Sequence, residues 1–151
     1  MRVLGLDLGA RRIGTALSDP AGSIALPLGV LERTNPKQDL EALVALVSEH
    51  DVARVVVGLP MHMDGRLGPQ AKAAEKLAAA LSEAAGIPVD TLDERWTSVE
   101  AERALATTAT GRGRSRRREK HRRERIDALA AALILRTFLA RLEAARDFDH
   151  F

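Results

Sequence analysis

The string ARVVVGL at residues 53–59 restricts the fold more than any other stretch of this chain. Side chains of a strand alternate between its two faces, so a near-continuous β-branched run leaves neither face fit for water. Such a strand has to be covered on both sides, as a central strand of a parallel sheet is. Pro60 ends it, and helix-type patterns lie before and after it. That is the arrangement right-handed crossovers require.

The flanking segments extend this picture. Residues 2–8 and 12–18 are two β-like runs joined by Gly9-Ala10-Arg11, a connection suited to a tight antiparallel hairpin. A third run, 23–31, follows the turn-forming Asp19-Pro20-Ala21-Gly22. The period then changes. Asn35 can cap a helix opened by Pro36, and Leu40, Leu43, Val44 and Val47 recur at helical spacing to about residue 50. Residues 69–85 form an alanine-rich helix closed by Gly86, residues 87–93 another strand, and Thr97-Ser98-Val99-Glu100 a capping box for a helix to about 106. A long last helix is expected over about 122–146. The order β-β-β-α-β-α-β-α-α predicts one α/β domain over residues 1–151. Its mixed five-stranded sheet has antiparallel strands 1-2-3 and parallel strands 1-4-5, with helices on both faces.

Composition removes several classes of function. The 151 residues, 46% of them hydrophobic, suffice for one domain with a real core, and the absence of cysteine rules out disulfides and thiolate zinc sites. The apolar run 128–135 is far too short for a membrane span, and Asp7 interrupts the apolar N-terminus before a signal-peptide core could form. A cytoplasmic protein with no membrane partner is expected. Charge is distributed unevenly. Arg112, Arg114, Arg116, Arg117, Arg118, Lys120, Arg122, Arg123 and Arg125 face only Glu119 and Glu124, so residues 111–125 carry +7 in a chain whose net charge is +2. A basic segment on an acidic body is an electrostatic footprint for a polyanion. It contains no aromatic residue, so it would grip phosphates and not stack on bases. The segment over about 107–124 is expected to be flexible.

Three acids do not fit their surroundings. Asp7 lies in the first strand, Glu94 ends the fifth within TLDERWTS, and Asp127 stands between Ile126 and ALAAALIL. Burying an ionised carboxylate without a partner costs several kcal/mol or more, so each needs a counter-ion or a metal. Arg12, Arg95 or solvent could serve each acid singly. The topology, however, places the ends of strands 1 and 5 on either side of strand 4, where α/β sheets bind ligands, and the last helix can cross the same crevice. Three converging carboxylates repel one another unless cations neutralise them, and an all-oxygen donor set favours Mg²⁺ or Mn²⁺. Gly5 and Gly9 flank Asp7 on its own side of the strand, and the expectation is that they clear room for a substrate backbone.

These residues also carry a resemblance. GLDLGARRIGTALSD at 5–19, VVVGLPMHMDG at 55–65, LDERWTS at 92–98 and DALAAALIL from Asp127, four motifs in order, resemble the YqgF/RuvX family of RNase H-like proteins. The family is described as Holliday junction resolvases and as nucleases maturing the precursor of 16S ribosomal RNA. The resemblance implies an RNase H-like fold and phosphodiester hydrolysis with two ions. Asp7, Glu94 and Asp127 would be metal ligands, Asp7 the bridging one. Arg12 and Arg95 would face phosphates or form structural ion pairs, and the basic residues Arg112, Arg114, Arg116, Arg117, Arg118, Lys120, Arg122 and Arg123 would bind nucleic acid. Structured RNA or branched DNA is the implied partner of a monomer or homodimer. LGLDLGARRIG also resembles the first phosphate loop of actin-like ATPases, but that architecture needs two such domains. A binding module without catalysis is the third reading.

Overall fold

The computed structural model describes residues 1–60, 68–94 and 116–149. In chain order they form β1 (Arg2–Leu8), β2 (Arg12–Ser18), β3 (Ala25–Glu32), α1 (Pro36–Glu49), β4 (Val52–Leu59), α2 (Pro69–Ala85), β5 (Val89–Asp93) and α3 (Arg116–Asp149). The helix expected to end near 106 lies outside the described residues, as do Arg95, Arg112 and Arg114.

The valine run does what its composition demands. β4 is sandwiched between β1 and β5, parallel to both, and the sheet order is β3-β2-β1-β4-β5 with β1-β2 and β2-β3 antiparallel. Val55 and Val57 face α1 and α2, packing with Leu4, Leu6, Leu43, Val47, Ala78 and Leu81. Val56 faces the other way, with Val3, Ala16 and Leu92, against Ala131, Leu135 and Phe138 of α3. All three valines are fully buried. The mixed sheet with helices on both faces is thus the observed fold. No helix among the described residues is long and apolar enough to cross a membrane.

Boundaries differ where polar side chains intervene. β3 starts at Ala25 and not Ser23, because the amides of Ser23 and Ile24 are taken by the Asp19 carboxylate at 2.6 and 2.8 Å. Those two bonds hold the Asp19 pKa below its ordinary value. β5 starts at Val89, after the Pro88 carbonyl has accepted the Val55 amide. The largest correction concerns the basic segment. α3 begins at Arg116, six residues before the expected start, so residues 116–124 of the segment expected to be flexible are helical, and 107–115 lie outside the described residues. They lack apolar periodicity, which hid the helix from the sequence. Arg, Lys and Glu are nonetheless good helix formers, and the i,i+3 pairs Glu119–Arg122 and His121–Glu124 support the turns.

α3 lies on its face of the sheet because three glycines let it. A Cβ on Gly5 would stand 2.8 Å from Leu135 Cβ and 3.0 Å from the Ala131 carbonyl oxygen. On Gly14 it would stand 2.1 Å from the Asp127 carbonyl oxygen, and on Gly58 2.6 Å from Ile134 Cδ1. This corrects the expectation for the glycines around Asp7. Gly5 admits the helix, not a substrate. Gly9 serves the β1-β2 turn, where its amide donates to the Arg12 carbonyl at 2.9 Å and a Cβ would come within 2.7 Å of that oxygen.

At Gly14 the obstacle is backbone, which cannot swing aside. Gly14→Ala is therefore expected to lower the unfolding free energy by about 3 kcal/mol or more, at the upper end of overpacking costs. Urea denaturation of the two proteins checks this; a loss below about 1 kcal/mol would show that α3 does not sit against β2 as described.

Candidate functional site

Strand alternation sends Val3, Gly5 and Asp7 of β1 to the α3 face. Asp7 is 3% exposed. Its antiparallel neighbour is Gly14 of β2, and one step beyond the Leu6–Val57 pair the parallel register brings it level with Gly58 of β4. Asp7 is thus flanked on both neighbouring strands by residues without side chains.

Each of those glycines receives a second acid's residue. The carbonyl of Asp127 rests on Gly14, placing this residue of α3 over the β1-β2 edge of the strip. Glu94 follows β5 directly, two residues after Leu92, which pairs with Gly58. Its Oε1 lies 2.9 Å and its Cγ 3.2 Å from the point a Gly58 Cβ would occupy. Glu94 is 7% exposed. The three acids therefore form a row across the sheet, Asp127 over β2, Asp7 on β1 and Glu94 over β4, at the C-terminal ends of the parallel strands. It is a row and not a cup: among the described residues no three Asp, Glu or His side chains stand close enough to enclose one cation. Asp93, adjacent to Glu94, is half-buried.

Arg12 joins the row. It precedes Gly14 by two positions in β2, hence on the same face, and its Nε donates to Asp127 Oδ2 at 2.9 Å. The two side chains are 19% and 22% exposed. Of the two roles open to Arg12 in the sequence, the structure displays the ion pair. The donor set is otherwise suited to a hard divalent cation: carboxylate oxygens only, two of the acids almost wholly buried, Asp7 within β1 and Glu94 directly after β5.

The basic residues divide by burial. Arg116, Arg117, Arg118, Lys120 and Arg123 are exposed. Arg122 is buried, with Nη1 3.7 Å from Glu119, so it braces α3 and does not present its charge to solution. Arg116, Lys120, Arg123 and Asp127 are spaced i, i+4, i+7, i+11 and share one face of α3. This cationic stripe leads to the row of acids over about 16 Å of helix. A groove of about 600 Å³ between β3 and α3, lined by Leu28, Val30, Ala128 and Leu129 among others, includes none of the three acids.

Sequence reading missed Gly14 and Gly58. The signal was present for Gly58, a glycine interrupting a buried β-branched run, which marks close approach of another group. Gly14 sits in an ordinary hairpin strand, and nothing local distinguishes it.

This sheet order, with acids at the ends of its parallel strands beneath a final helix, defines an RNase H-like fold. Solved structures agree in fold: the Thermus thermophilus RuvC in complex with a Holliday junction substrate has a TM-score of 0.58 at 18% identity, covering 95% of this chain and 96% of that one. The fowlpox virus resolvase, in complex with Holliday junction DNA, also reaches 0.58 at 8% identity, covering 94% and 99%. The chain belongs to the RuvX family, described as Holliday junction resolvase, which it matches over residues 1–141. Relatives whose names describe a pre-16S rRNA nuclease include one from Thermoanaerobacter pseudethanolicus, 42% identical over 92% of this chain and 96% of its own length. Another, from Moorella thermoacetica, is 46% identical over 94% and 96%. These are hydrolases of nucleic acid by family.

The Glu94 contact yields a test of the row. The groups a Gly58 Cβ would meet are the ends of flexible side chains, so Gly58→Ala should fold with a loss of about 1–2 kcal/mol while displacing Glu94. Nuclease turnover should fall at least about tenfold in a protein with a near-normal melting curve. Unchanged turnover would remove Glu94's position from the chemistry.

Proposed function

We propose that this chain is a divalent-metal-dependent nuclease that trims the precursor of 16S ribosomal RNA in the cytoplasm. The observation that carries the reading is Asp7, a buried carboxylate on the central strand with glycine on both neighbouring strands and an acid resting on each glycine. The names of the relatives support the RNA substrate.

Asp7, Glu94 and Asp127 would hold Mg²⁺ or Mn²⁺. The chemistry that such ions would supply is Lewis acidity, toward a water that attacks the phosphodiester and toward the leaving 3′ oxygen. The chain's own contribution is placement. Asp7 is held rigidly by β-ladder on two sides and is the acid able to serve both ends of the row. Glu94 is held against Gly58, and Asp127 is fixed through its backbone on Gly14. With a water as the attacking group, no side-chain nucleophile would be required of this chain, which has no cysteine. Arg116, Lys120 and Arg123 align the phosphates of the strand running toward the acids.

The test compares wild type with Asp7→Asn on a pre-16S rRNA fragment in Mg²⁺ or Mn²⁺. The variant should bind the RNA as wild type does and cut it no faster than background; equal cutting by both would exclude Asp7. A second reading, cleavage of four-way DNA junctions, is favoured by the family's description, and the same pair of proteins on a junction decides between substrates. Replacing Arg116, Lys120 and Arg123 with Gln should weaken binding to all sequences. On single-stranded RNA the slope of log K against log salt should flatten by about 2, at roughly 0.7 per phosphate contact. An unchanged slope would mean that the stripe does not touch the backbone.

A further inference from the structure

The ion pair between Arg12 and Asp127 is difficult to reconcile with a merely structural role. Both backbones are already fixed: Arg12 by its pairing with Glu32 on β3 and its carbonyl's bond to Gly9, Asp127 by α3 and the contact with Gly14. A strut between two fixed points adds little. Each side chain is about one-fifth exposed, so the pair sits at the edge of the site, where solution ions and a polyanion can reach it. Among the described residues, the pair is joined through Arg12 Nε alone, at 2.9 Å, and not as a bidentate clamp. A long arginine side chain can leave such a contact by rotation without moving the sheet.

We propose that Arg12 is an exchangeable counter-ion: it neutralises Asp127 until a divalent cation takes that carboxylate, and then turns its guanidinium to a substrate phosphate. This rests on the reading of Asp127 as a metal ligand. A carboxylate oxygen bound by a guanidinium is a poorer donor to a second cation, so Arg12 lowers the affinity of the Asp127 position for metal. The same exchange makes Arg12 available to phosphate only when Asp127 has been satisfied otherwise. Metal and nucleic acid would then favour each other's binding, by a reciprocal coupling through one residue. Arg12 is in this sense a positioning residue whose charge is lent to one of two partners.

The test uses the full chain and Mn²⁺ alone, followed by electron paramagnetic resonance of free Mn²⁺, in wild type, Arg12→Gln, Arg12→Lys and Asp127→Asn, each checked by thermal melting. Removing the competing ion pair should tighten the Asp127-dependent site about three- to tenfold in Arg12→Gln. Arg12→Lys, which keeps the charge, should stay within about twofold of wild type, and Asp127→Asn should lose that site. Equal or weaker Mn²⁺ binding by a folded Arg12→Gln overturns the exchange and makes Arg12 a fixed brace. No Mn²⁺ binding by any of the four removes the metal reading itself, and the proposal with it.

A second arm needs no metal. In EDTA, Asp127→Asn frees Arg12, so its binding to single-stranded RNA should gain about 0.7 in salt slope over wild type. Adding Arg12→Gln to Asp127→Asn should abolish that gain; a gain that persists in the double variant would show that Arg12 does not reach phosphate.

Discussion

The close seating of α3 on the sheet is the contact on which the rest of the structure depends. Three positions on three adjacent strands, Gly14 of β2, Gly5 of β1 and Gly58 of β4, lack the Cβ that would hold the helix away. The strip has two consequences at once. At Gly5 the helix packs its Leu135 and Ala131 directly on the strand, which closes one of the two cores. At Gly14 it brings the Asp127 backbone down beside Asp7. Stability and site are thus consequences of one packing geometry, because a helix that stood off by a methyl group would carry Asp127 with it.

The strip also explains how acids can be tolerated on a core-facing surface. Asp7 points to the same side as Val3, yet it stands at the end of the strand where apolar packing gives way to glycine, Arg12 and Glu94. The apolar contacts of α3 with this core are made by residues from Ala130 to Leu142, and its residues from Arg116 to Asp127 carry the cationic stripe and the ion pair to Arg12. A single long helix therefore seals the core with one half and presents the cationic stripe with the other. Asp127 is placed at the junction. Arg122 shows that charge on this helix is not all of one use, since it is buried beside Glu119 while its neighbours face solution.

Much of this was legible in the residues. The valine run demanded a strand covered on both faces, the Gly9-Ala10-Arg11 link demanded a hairpin, and the caps at Asn35 and Gly86 marked where helices start and stop. Those are local rules, enforced by sterics and hydrogen bonding within a few residues, and they placed β1 beside β4 through ordinary crossover topology. The start of α3 was not legible, because a helix polar on every side has no periodic signal. The role of Gly5 was misread for a different reason. A missing side chain shows that something comes close, and the chain alone does not say whether that is a substrate or another part of itself.

Sequence by itself determined the sheet, the identity of the three unusual acids and the concentration of positive charge in the basic segment, since each follows from residue type, spacing and the cost of burying charge. Only the tertiary structure decided that Arg12 is spent on Asp127, that Glu94 is held over Gly58 and that the basic residues form a stripe ending at Asp127. The physical reason is distance along the chain: Arg12 and Asp127 are 115 residues apart, and their 2.9 Å contact exists only because α3 can lie against a strand that offers it no side chain.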